Sequence, residues 1–389
     1  MNKTYDRWLL LITVLLVGFG SLMIYSSTSV VTPSLAKKNV TQFFYFKKHL
    51  FTMFLGFGIM FMAYRLKPGA IKKLALPLLI FSFLLLVLVF IPGMGISAGG
   101  ARRWIRLWPS TFQPSELVKL SMVIFLAKYM SMQDYRTDSF VSFIKPIGIM
   151  AVFQVIFLKQ PDFGATVSLG ILTLSMLFLS GMRLRYLLSL TVLAVPLIIK
   201  LVKEPYRWKR ITSFLNPWDD PQGSGFQLIQ SFIALGSGGL KGVGLGESKQ
   251  KLMFLPETHT DFIFSLVGEE LGLVGATVVI ALFLVLFIKG ISITNKAKDS
   301  FVYYLSFGLS IMIALQALIN FFVVTGMIPT KGLPLPFISY GGSSLLMNMA
   351  AVGILLKLSK GEDERKVIDR TRDMVIRKKA LRAVYGNRS

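Results

Sequence analysis

The stretch LGLVGATVVIALFLVLFI, residues 271–288, contains eighteen consecutive residues without a charged side chain. A helix of about 20 apolar residues is long enough to cross the hydrocarbon core of a bilayer. An uninterrupted apolar run of this length is typical of a membrane-spanning helix. The stretch therefore predicts that this part of the chain lies in a membrane.

The same pattern recurs along the whole chain. Hydrophobic residues make up 53% of the sequence and charged residues only 16%, against about 25% charged in an average soluble domain. This composition excludes a disordered chain and argues against a soluble globular protein. We predict an all-α polytopic membrane protein with about ten transmembrane helices. The predicted spans are residues 8–28, 49–65, 74–91, 115–131, 144–158, 164–181, 185–202, 261–289, 301–325 and 340–357.

The spans define a single transmembrane domain over residues 1–360, followed by a basic tail over residues 361–389. A long loop, residues 203–260, lies between helices 7 and 8. Ten spans place both termini on one side, and the excess of Lys and Arg in the loops of that side and in the tail assigns it to the cytoplasm. The long loop is then extracytoplasmic, and its aromatic and aliphatic residues predict short or re-entrant helices at the membrane surface.

The charge balance limits the possible ligands. The chain has 43 Lys and Arg against 19 Asp and Glu, a formal net charge of +24. The basic residues are spread over many loops, which disfavours nucleic acid and favours anionic lipids or an anionic ligand. With no cysteine and two histidines, disulfides, thiolate metal sites, cysteine nucleophiles and a His-rich metal site are excluded.

Ionisable residues within predicted spans are costly and are therefore candidates for function. Glu116 and Lys119 are spaced i, i+3 and share one helix face. They are either a self-neutralising pair or the lining of a polar cavity in which Lys119 contacts an anion. Glu269 and Glu270 lie deeper in the eighth span, and we expect at least one of them to point into the bundle.

Asp261 lies where the long loop enters the eighth span. One interpretation is helix capping, because Thr258 and Asp261 have the spacing of a capping box. The other is a general base at the membrane surface, because a helix N-terminus keeps a carboxylate ionised. The residues alone leave both interpretations open.

Two glycine-rich segments complete the candidates. Residues 92–114 are predicted to form a loop that carries Arg102, Arg103 and Trp104. These side chains either anchor the loop at the interface or clamp a diphosphate, since Arg matches phosphate oxygens. The run from Gly236 to Gly246 could cradle an anion with its backbone N–H groups, which is a weak motif.

Four sequence motifs resemble those of the SEDS proteins (shape, elongation, division and sporulation), a family that includes FtsW and RodA, and they occur in the same order along the chain. The resemblance covers nearly the whole chain. Residues 214–218, 222–227 and 242–246 are more similar to FtsW and its sporulation relative than to RodA. The four motifs are Gly100 to Trp104 with Phe112 to Glu116, Gln160 to Gly164, Leu255 to Phe264 with Gly268 to Gly272, and Pro336 to Ser344.

The resemblance implies a peptidoglycan glycosyltransferase that polymerises lipid II, a disaccharide-pentapeptide on undecaprenyl diphosphate. The reaction takes place at the outer face of the bacterial cytoplasmic membrane and inverts the anomeric carbon. Asp261 matches the family's catalytic aspartate and is the expected base. The residues expected around the substrate are Arg102, Arg103 and Lys119 on the diphosphate side, Trp104, Glu116, Glu257, His259 and Ser343.

The resemblance also implies partners: a class B penicillin-binding protein as transpeptidase, and other divisome proteins. We expect a role in septal wall synthesis, with an elongation or sporulation polymerase as the alternative. A lipid II flippase and a non-catalytic divisome scaffold are the rivals from other classes. A divalent cation, Mg²⁺ or Mn²⁺, is left open, although the sequence shows no clear ligand cluster for one.

Overall fold

A computed structural model of the chain describes residues 5–28, 44–98, 101–107, 110–202, 204–250, 259–330 and 332–360. These residues form twelve α-helices, a short 3-10 turn at Pro217–Asp219 and one small β-sheet. The helices are α1 Arg7–Thr28, α2 Phe44–Arg65, α3 Pro68–Leu88, α4 Pro114–Met130, α5 Phe140–Lys159, α6 Phe163–Leu179, α7 Leu184–Val202, α8 Pro205–Leu215, α9 Phe226–Gly238, α10 Ile263–Lys296, α11 Ser300–Val324 and α12 Gly342–Lys360.

Each of the ten predicted spans coincides with one long helix, so the helical fold class is confirmed. Six of the described helices, α1, α3, α5, α10, α11 and α12, are long and apolar enough to cross a membrane. Helices α4 and α6 have only 17 residues each, and α4 carries three charged residues. The chain is therefore a multi-pass membrane protein, and the number of ten crossings stays a prediction.

The bundle is apolar outside and partly polar inside. Large hydrophobic side chains such as Phe54 and Leu193 are 69% and 74% exposed, which fits a surface in contact with lipid rather than water. Helix α4 lies at the centre, packed against α3, α6, α11 and α12, and almost every residue from Pro114 to Ala127 is buried. The polar groups of α4 are therefore held by protein partners, because lipid offers none.

Small residues bring helices close together. An added Cβ at Gly353 of α12 would overlap the carbonyl oxygen of Met60 in α2, and one at Gly20 of α1 would overlap the backbone of Phe337 and Ile338. Such contacts are typical of membrane helices, which associate through close backbone packing. They hold the segment before α12 firmly against the bundle.

The segment 92–114, predicted as a loop, forms a three-stranded antiparallel sheet instead. Its strands are β1 Gly95–Ala98, β2 Ala101–Leu107 and β3 Ser110–Phe112. In β2, Ala101 and Ile105 are buried while Arg102 and Arg106 are exposed. The pairing of β2 with β1 shifts register opposite Ile96 and Ser97, so the strand lacks the regular two-residue alternation that would reveal it in the sequence.

The loop between the seventh and eighth predicted spans contains helices α8 and α9, as predicted. Helix α10, predicted as one continuous span, is broken at Gly272, whose φ is 66° and ψ is −164°. Residues of the glycine-rich run replace hydrogen bonds that the helix loses at the break. Val243 N donates to Glu269 O and Gly244 N donates to Glu270 O, both at 3.0 Å. These N–H groups are engaged within the protein, so the anion-cradle interpretation is wrong for them.

The other side of the break is closed in the same way. Leu273 N donates to Gly239 O at 2.9 Å, and Val274 N donates to Leu240 O at 3.2 Å. Four of the backbone groups freed by the break are therefore satisfied, as the bilayer requires of an interrupted helix. These bonds join both sides of the break in α10 to residues 239–244, which follow α9.

Candidate active site

Asp261 lies in a turn formed by residues 259–262, immediately before α10. Helix α10 begins at Ile263 with Phe262 as its N-cap residue, and the described first turn contains no acidic side chain. Asp261 is therefore outside the first turn, which disagrees with the capping interpretation. Thr258, the other member of the proposed capping box, lies outside the described residues. Asp261 is half-buried, a position that suits a carboxylate working at the edge of the bundle.

Two other segments fix the position of Asp261. Asn320 of α11 donates from Nδ2 to the carbonyl oxygen of Asp261 at 2.8 Å. The loop before α12 passes close by: a Cβ added at Gly332 would lie 2.8 Å from Asp261 Oδ2. A glycine at position 332 therefore leaves the space that the carboxylate occupies.

An aromatic cluster adjoins this turn. The ring of His259 lies 5.0 Å from the ring of Tyr45 and 5.7 Å from that of Tyr340, between centroids. Tyr340 N also donates to His259 O at 2.8 Å. His259, expected at the substrate site, is thus packed beside Asp261 and joined to the segment before α12.

The Glu116–Lys119 pair is deeply buried. Lys119 Nζ lies 2.7 Å from Glu116 Oε1, and the two side chains are 4% and 5% exposed. Lys119 Nζ also donates to Gln316 Oε1 of α11 at 3.1 Å. An ammonium has three N–H donors, so one remains for a further acceptor after these two contacts. The self-neutralising interpretation fits this geometry directly, and a contact between the third donor and an anion stays a prediction.

Polar contacts continue from this pair towards the sheet. Gln113, the N-cap residue of α4, donates from its backbone N–H to Ser343 Oγ at 2.8 Å and from Nε2 to Asp162 Oδ2 at 3.1 Å. Asp162 also caps α6 by accepting from Ala165 N at 3.1 Å. Ser343, expected at the site, therefore lies at the start of both α4 and α12.

The three arginines of β2 differ in exposure: Arg103 is half-buried, while Arg102 and Arg106 are exposed. Arg103 lies where the pairing of β2 with β1 shifts register. Arg103 points towards the bundle and its guanidinium donates to the carbonyl oxygens of Gln160 and Pro161. Arg102 is exposed and Trp104 is half-buried. Among the described residues, Arg103 contacts the segment that leads to Asp162, the residue that Gln113 also contacts. No such hydrogen bond is seen for Arg102 among the described residues.

Glu269 and Glu270 are both buried, as expected for at least one of them. Glu269 accepts from Ser248 Oγ and, at 3.0 Å, from Lys249 N. Glu270 Oε1 accepts from Ser26 Oγ of α1 at 2.6 Å. Glu269 thereby holds the end of the segment that leads to Asp261.

The structure thus groups the expected residues in two places. Asp261 and His259 lie at one, and Glu116, Lys119 and Ser343 at the other. The predicted substrate residue Glu257 lies outside the described residues. Among the residues that the structure describes, no group of three or more His, Asp or Glu side chains is placed to hold a metal ion.

Sequence reasoning missed Gln316 and Asn320, the two amides that contact Lys119 and Asp261. Both lie in the mostly apolar α11 and are buried, at 4% and 1% exposure. Two amides four residues apart in a membrane helix are the signal that could have found them, because they share one face and need partners.

Comparison with known proteins places this geometry in a family. The family described as "Cell cycle protein", which comprises FtsW, RodA and SpoVE, matches residues 7–364. A probable peptidoglycan glycosyltransferase FtsW from Geobacter sulfurreducens is 44% identical over 359 residues, covering 92% of this chain and 95% of the relative. Stage V sporulation protein E from Bacillus subtilis is 43% identical over 360 residues, covering 91% and 97%.

Solved structures agree in fold. One, described as "Structural coordination of polymerization and crosslinking by a peptidoglycan synthase complex", has a TM-score of 0.76 and 30% identity, covering 92% of this chain and 99% of that chain. The rod shape determining protein RodA from Thermus thermophilus has a TM-score of 0.67 and 26% identity, covering 92% and 97%. The match over nearly the whole length, in sequence and in fold, shows that the chain belongs to the FtsW, RodA and SpoVE family of cell cycle proteins and is FtsW-like.

Proposed function

We propose that this chain polymerises lipid II into glycan strands at the outer face of the bacterial cytoplasmic membrane, with Asp261 as the general base. The chain is a peptidoglycan glycosyltransferase of the FtsW type, by its family and by 44% identity to relatives of that name. The observation that supports the base assignment is the position of Asp261: a half-buried carboxylate at a helix start, with its backbone and its surroundings fixed by Asn320 and Gly332.

The chemistry requires a base and a place for the leaving diphosphate. The 4-hydroxyl oxygen of the acceptor N-acetylglucosamine attacks the anomeric carbon of the donor sugar, and the bond from that carbon to the diphosphate oxygen breaks. The hydroxyl proton passes to Asp261, and undecaprenyl diphosphate departs with the electron pair. One displacement of this kind inverts the anomeric carbon. A diphosphate leaves without an acid if cations stabilise its charge, so a single carboxylate is sufficient.

The remaining expected residues divide into two roles. Arg102, Arg103 and Lys119 stabilise the diphosphate, while Glu116 orients Lys119. Trp104, Glu257, His259 and Ser343 line the substrate site. Lys119 is buried in this structure, so its third N–H reaches a diphosphate oxygen only when the surrounding segments open.

The proposal extends to topology and partners. Residues 1–360 form one transmembrane domain with both termini in the cytoplasm, and the loop 203–260 faces outward. A class B penicillin-binding protein is the proposed transpeptidase partner, supported by the similarity to the synthase complex, and other divisome proteins follow from a septal role. Identities of 44% and 43% to FtsW and to the sporulation protein keep sporulation as the alternative to division.

The test is lipid II polymerisation by the purified chain with its transpeptidase partner, comparing the wild type with Asp261→Asn. Loss of a positioned general base costs about 10²–10⁴-fold in rate, so we expect glycan strands from the wild type and almost none from the folded variant. Equal product from both would refute the base assignment. No product from either, with labelled lipid II crossing proteoliposome bilayers, would favour a flippase.

A further inference from the structure

We propose that Asn320 is a positioning residue for Asp261, and that it sets the carboxylate in place through a bridge to the loop before α12. The inference rests on the proposed role of Asp261 as the base. Asn320 belongs to none of the motifs that carry the family resemblance, and it is recognised only from its contacts.

Asn320 bridges two segments of backbone. Asn320 Nδ2 donates to two backbone carbonyls at once, Asp261 O at 2.8 Å and Leu333 O at 2.8 Å. Carbonyl oxygens only accept, so both contacts require the amide nitrogen at this position, and the orientation of the amide is fixed. One side chain therefore joins the turn of Asp261 to the loop that contains Gly332.

Burying the amide of Asn320 has a cost in free energy. Asn320 is 1% exposed, and its Oδ1 has no hydrogen-bond partner among the described residues. A buried acceptor without a partner costs free energy. The donor side of Asn320 offsets that cost only through the two carbonyls it holds, so the contacts of the nitrogen account for an amide at this position.

A second amide of α11, Gln316, connects this bridge to the group of site residues around Lys119. Gln316 lies one turn before Asn320, on the same face of α11. Its Nε2 donates to Pro334 O at 2.9 Å, the next carbonyl of the same loop, while its Oε1 accepts from Lys119. The two amides thus hold neighbouring carbonyls of one loop, and each also holds one of the two groups of site residues.

The bridge formed by Asn320 also limits where the carboxylate of Asp261 can lie. Because Gly332 lies against Asp261 Oδ2, the loop held by Asn320 forms one wall of the space that the carboxylate occupies. Loss of the bridge frees the backbone of Asp261 and this wall together. The base then spends less time at the acceptor hydroxyl, while the groups that bind the diphosphate keep their places.

The experiment measures kcat and KM for lipid II with the full chain and its transpeptidase partner in proteoliposomes. Asn320→Asp is nearly isosteric but turns the donor into an acceptor that faces two carbonyls. Asn320→Ser keeps one donor and is the conservative variant. Ser310→Ala is the matched control, because Ser310 is a buried polar residue of α11 whose hydroxyl donates to its own helix at Ser306 O.

We expect kcat of Asn320→Asp to fall by about 100-fold, the scale of a misplacement of about 1 Å, with KM changed by less than about twofold. Asn320→Ser should recover part of the loss, and Ser310→Ala should match the wild type. Wild-type kcat in a folded Asn320→Asp, or a rise in KM that accounts for the whole loss, would overturn the inference. If Asn320→Asp does not fold, the same two criteria are applied to Asn320→Ser.

Asp261→Asn is measured in parallel to separate the two proposals. An inactive Asp261→Asn beside an Asn320→Asp of wild-type activity refutes the positioning role alone. An active Asp261→Asn refutes the base assignment, and the positioning role with it.

Discussion

The buried pair of Glu116 and Lys119 gives a prediction in which stability and activity can be separated. Lys119 Nζ and Glu116 Oε1 are 2.7 Å apart, and the side chains of Lys119 and Glu116 are 4% and 5% exposed. Glu116→Met leaves the ammonium of Lys119 buried with Gln316 as its remaining described acceptor. Removing one partner of a buried pair costs about 3–5 kcal/mol. We therefore expect Glu116→Met and Lys119→Met each to lower the free energy of unfolding by about this amount.

The double variant behaves differently. Replacing both partners by uncharged side chains of similar volume removes the desolvation cost together with the attraction, and is often close to neutral. The loss that remains is the donor to Gln316 Oε1, and a buried acceptor without a partner costs about 1–3 kcal/mol. The double variant should therefore be more stable than either single variant by about 2 kcal/mol, the difference from the cost of about 3–5 kcal/mol for a single variant.

The assay is equilibrium unfolding in detergent micelles, followed by lipid II polymerisation with the variants that remain folded. Lys128→Met, near the far end of α4, is the control for removing a lysine from the same helix. Because Lys119 is a proposed diphosphate ligand, the double variant should be stable but should polymerise slowly. Polymerisation at the wild-type rate would mean that Lys119 only neutralises Glu116. Single variants as stable as the wild type would refute the reasoning on burial.

Two further predictions concern the site and the outer loop. Gly332→Ala places a Cβ 2.8 Å from Asp261 Oδ2, so the carboxylate must move and kcat should fall by about 10–100-fold; Gly69→Ala, with open space around its Cβ, should leave kcat unchanged, and an unaffected Gly332→Ala would refute the close contact. Hydrogen bonds from Ser224 N, Lys209 and Ser224 Oγ lower the pKa of Asp220 to about 2. A lowered pKa in the folded state gives stability that is present above the ordinary value of 3.8 and is lost as the pH falls through about 2. At pH 4, pepsin should therefore cleave the turn around Asp220 more slowly in the wild type than in Asp220→Asn, and this difference between the two proteins should shrink at pH 2.

The helices were predictable because lipid imposes one simple requirement on the chain. Every backbone polar group must be satisfied inside the membrane, so an apolar run of sufficient length forms a helix regardless of its detailed sequence. The ten long helices agree with the predicted spans for this reason. Asp261, Glu116 and Lys119 are candidate site residues because an ionisable residue within or beside such a run is conspicuous.

The features that were missed depend on contacts between distant segments. The strands of residues 95–112 are set by pairing across the sheet, with Gly95 opposite Ile105 and Ile105 opposite Phe112. The break at Gly272 is stable because residues near Gly242 supply its missing hydrogen bonds. Asn320 looks like an ordinary polar residue in an apolar helix until its two carbonyl partners are known. No local pattern carries this information.

The backbone contact at the break in α10 also restricts how this sequence can evolve. A Cβ at Gly238 would overlap Gly268 O, one at Gly242 would overlap Glu270 O, and one at Gly272 would overlap Gly242 N. Each of these glycines makes room for backbone that is itself held by the other segment, so no single substitution can be accommodated by moving a side chain. Drift at one position would have to be matched by simultaneous change at the others. Lineages that retain this break are therefore expected to retain all three glycines while the lipid-facing surface around them varies freely.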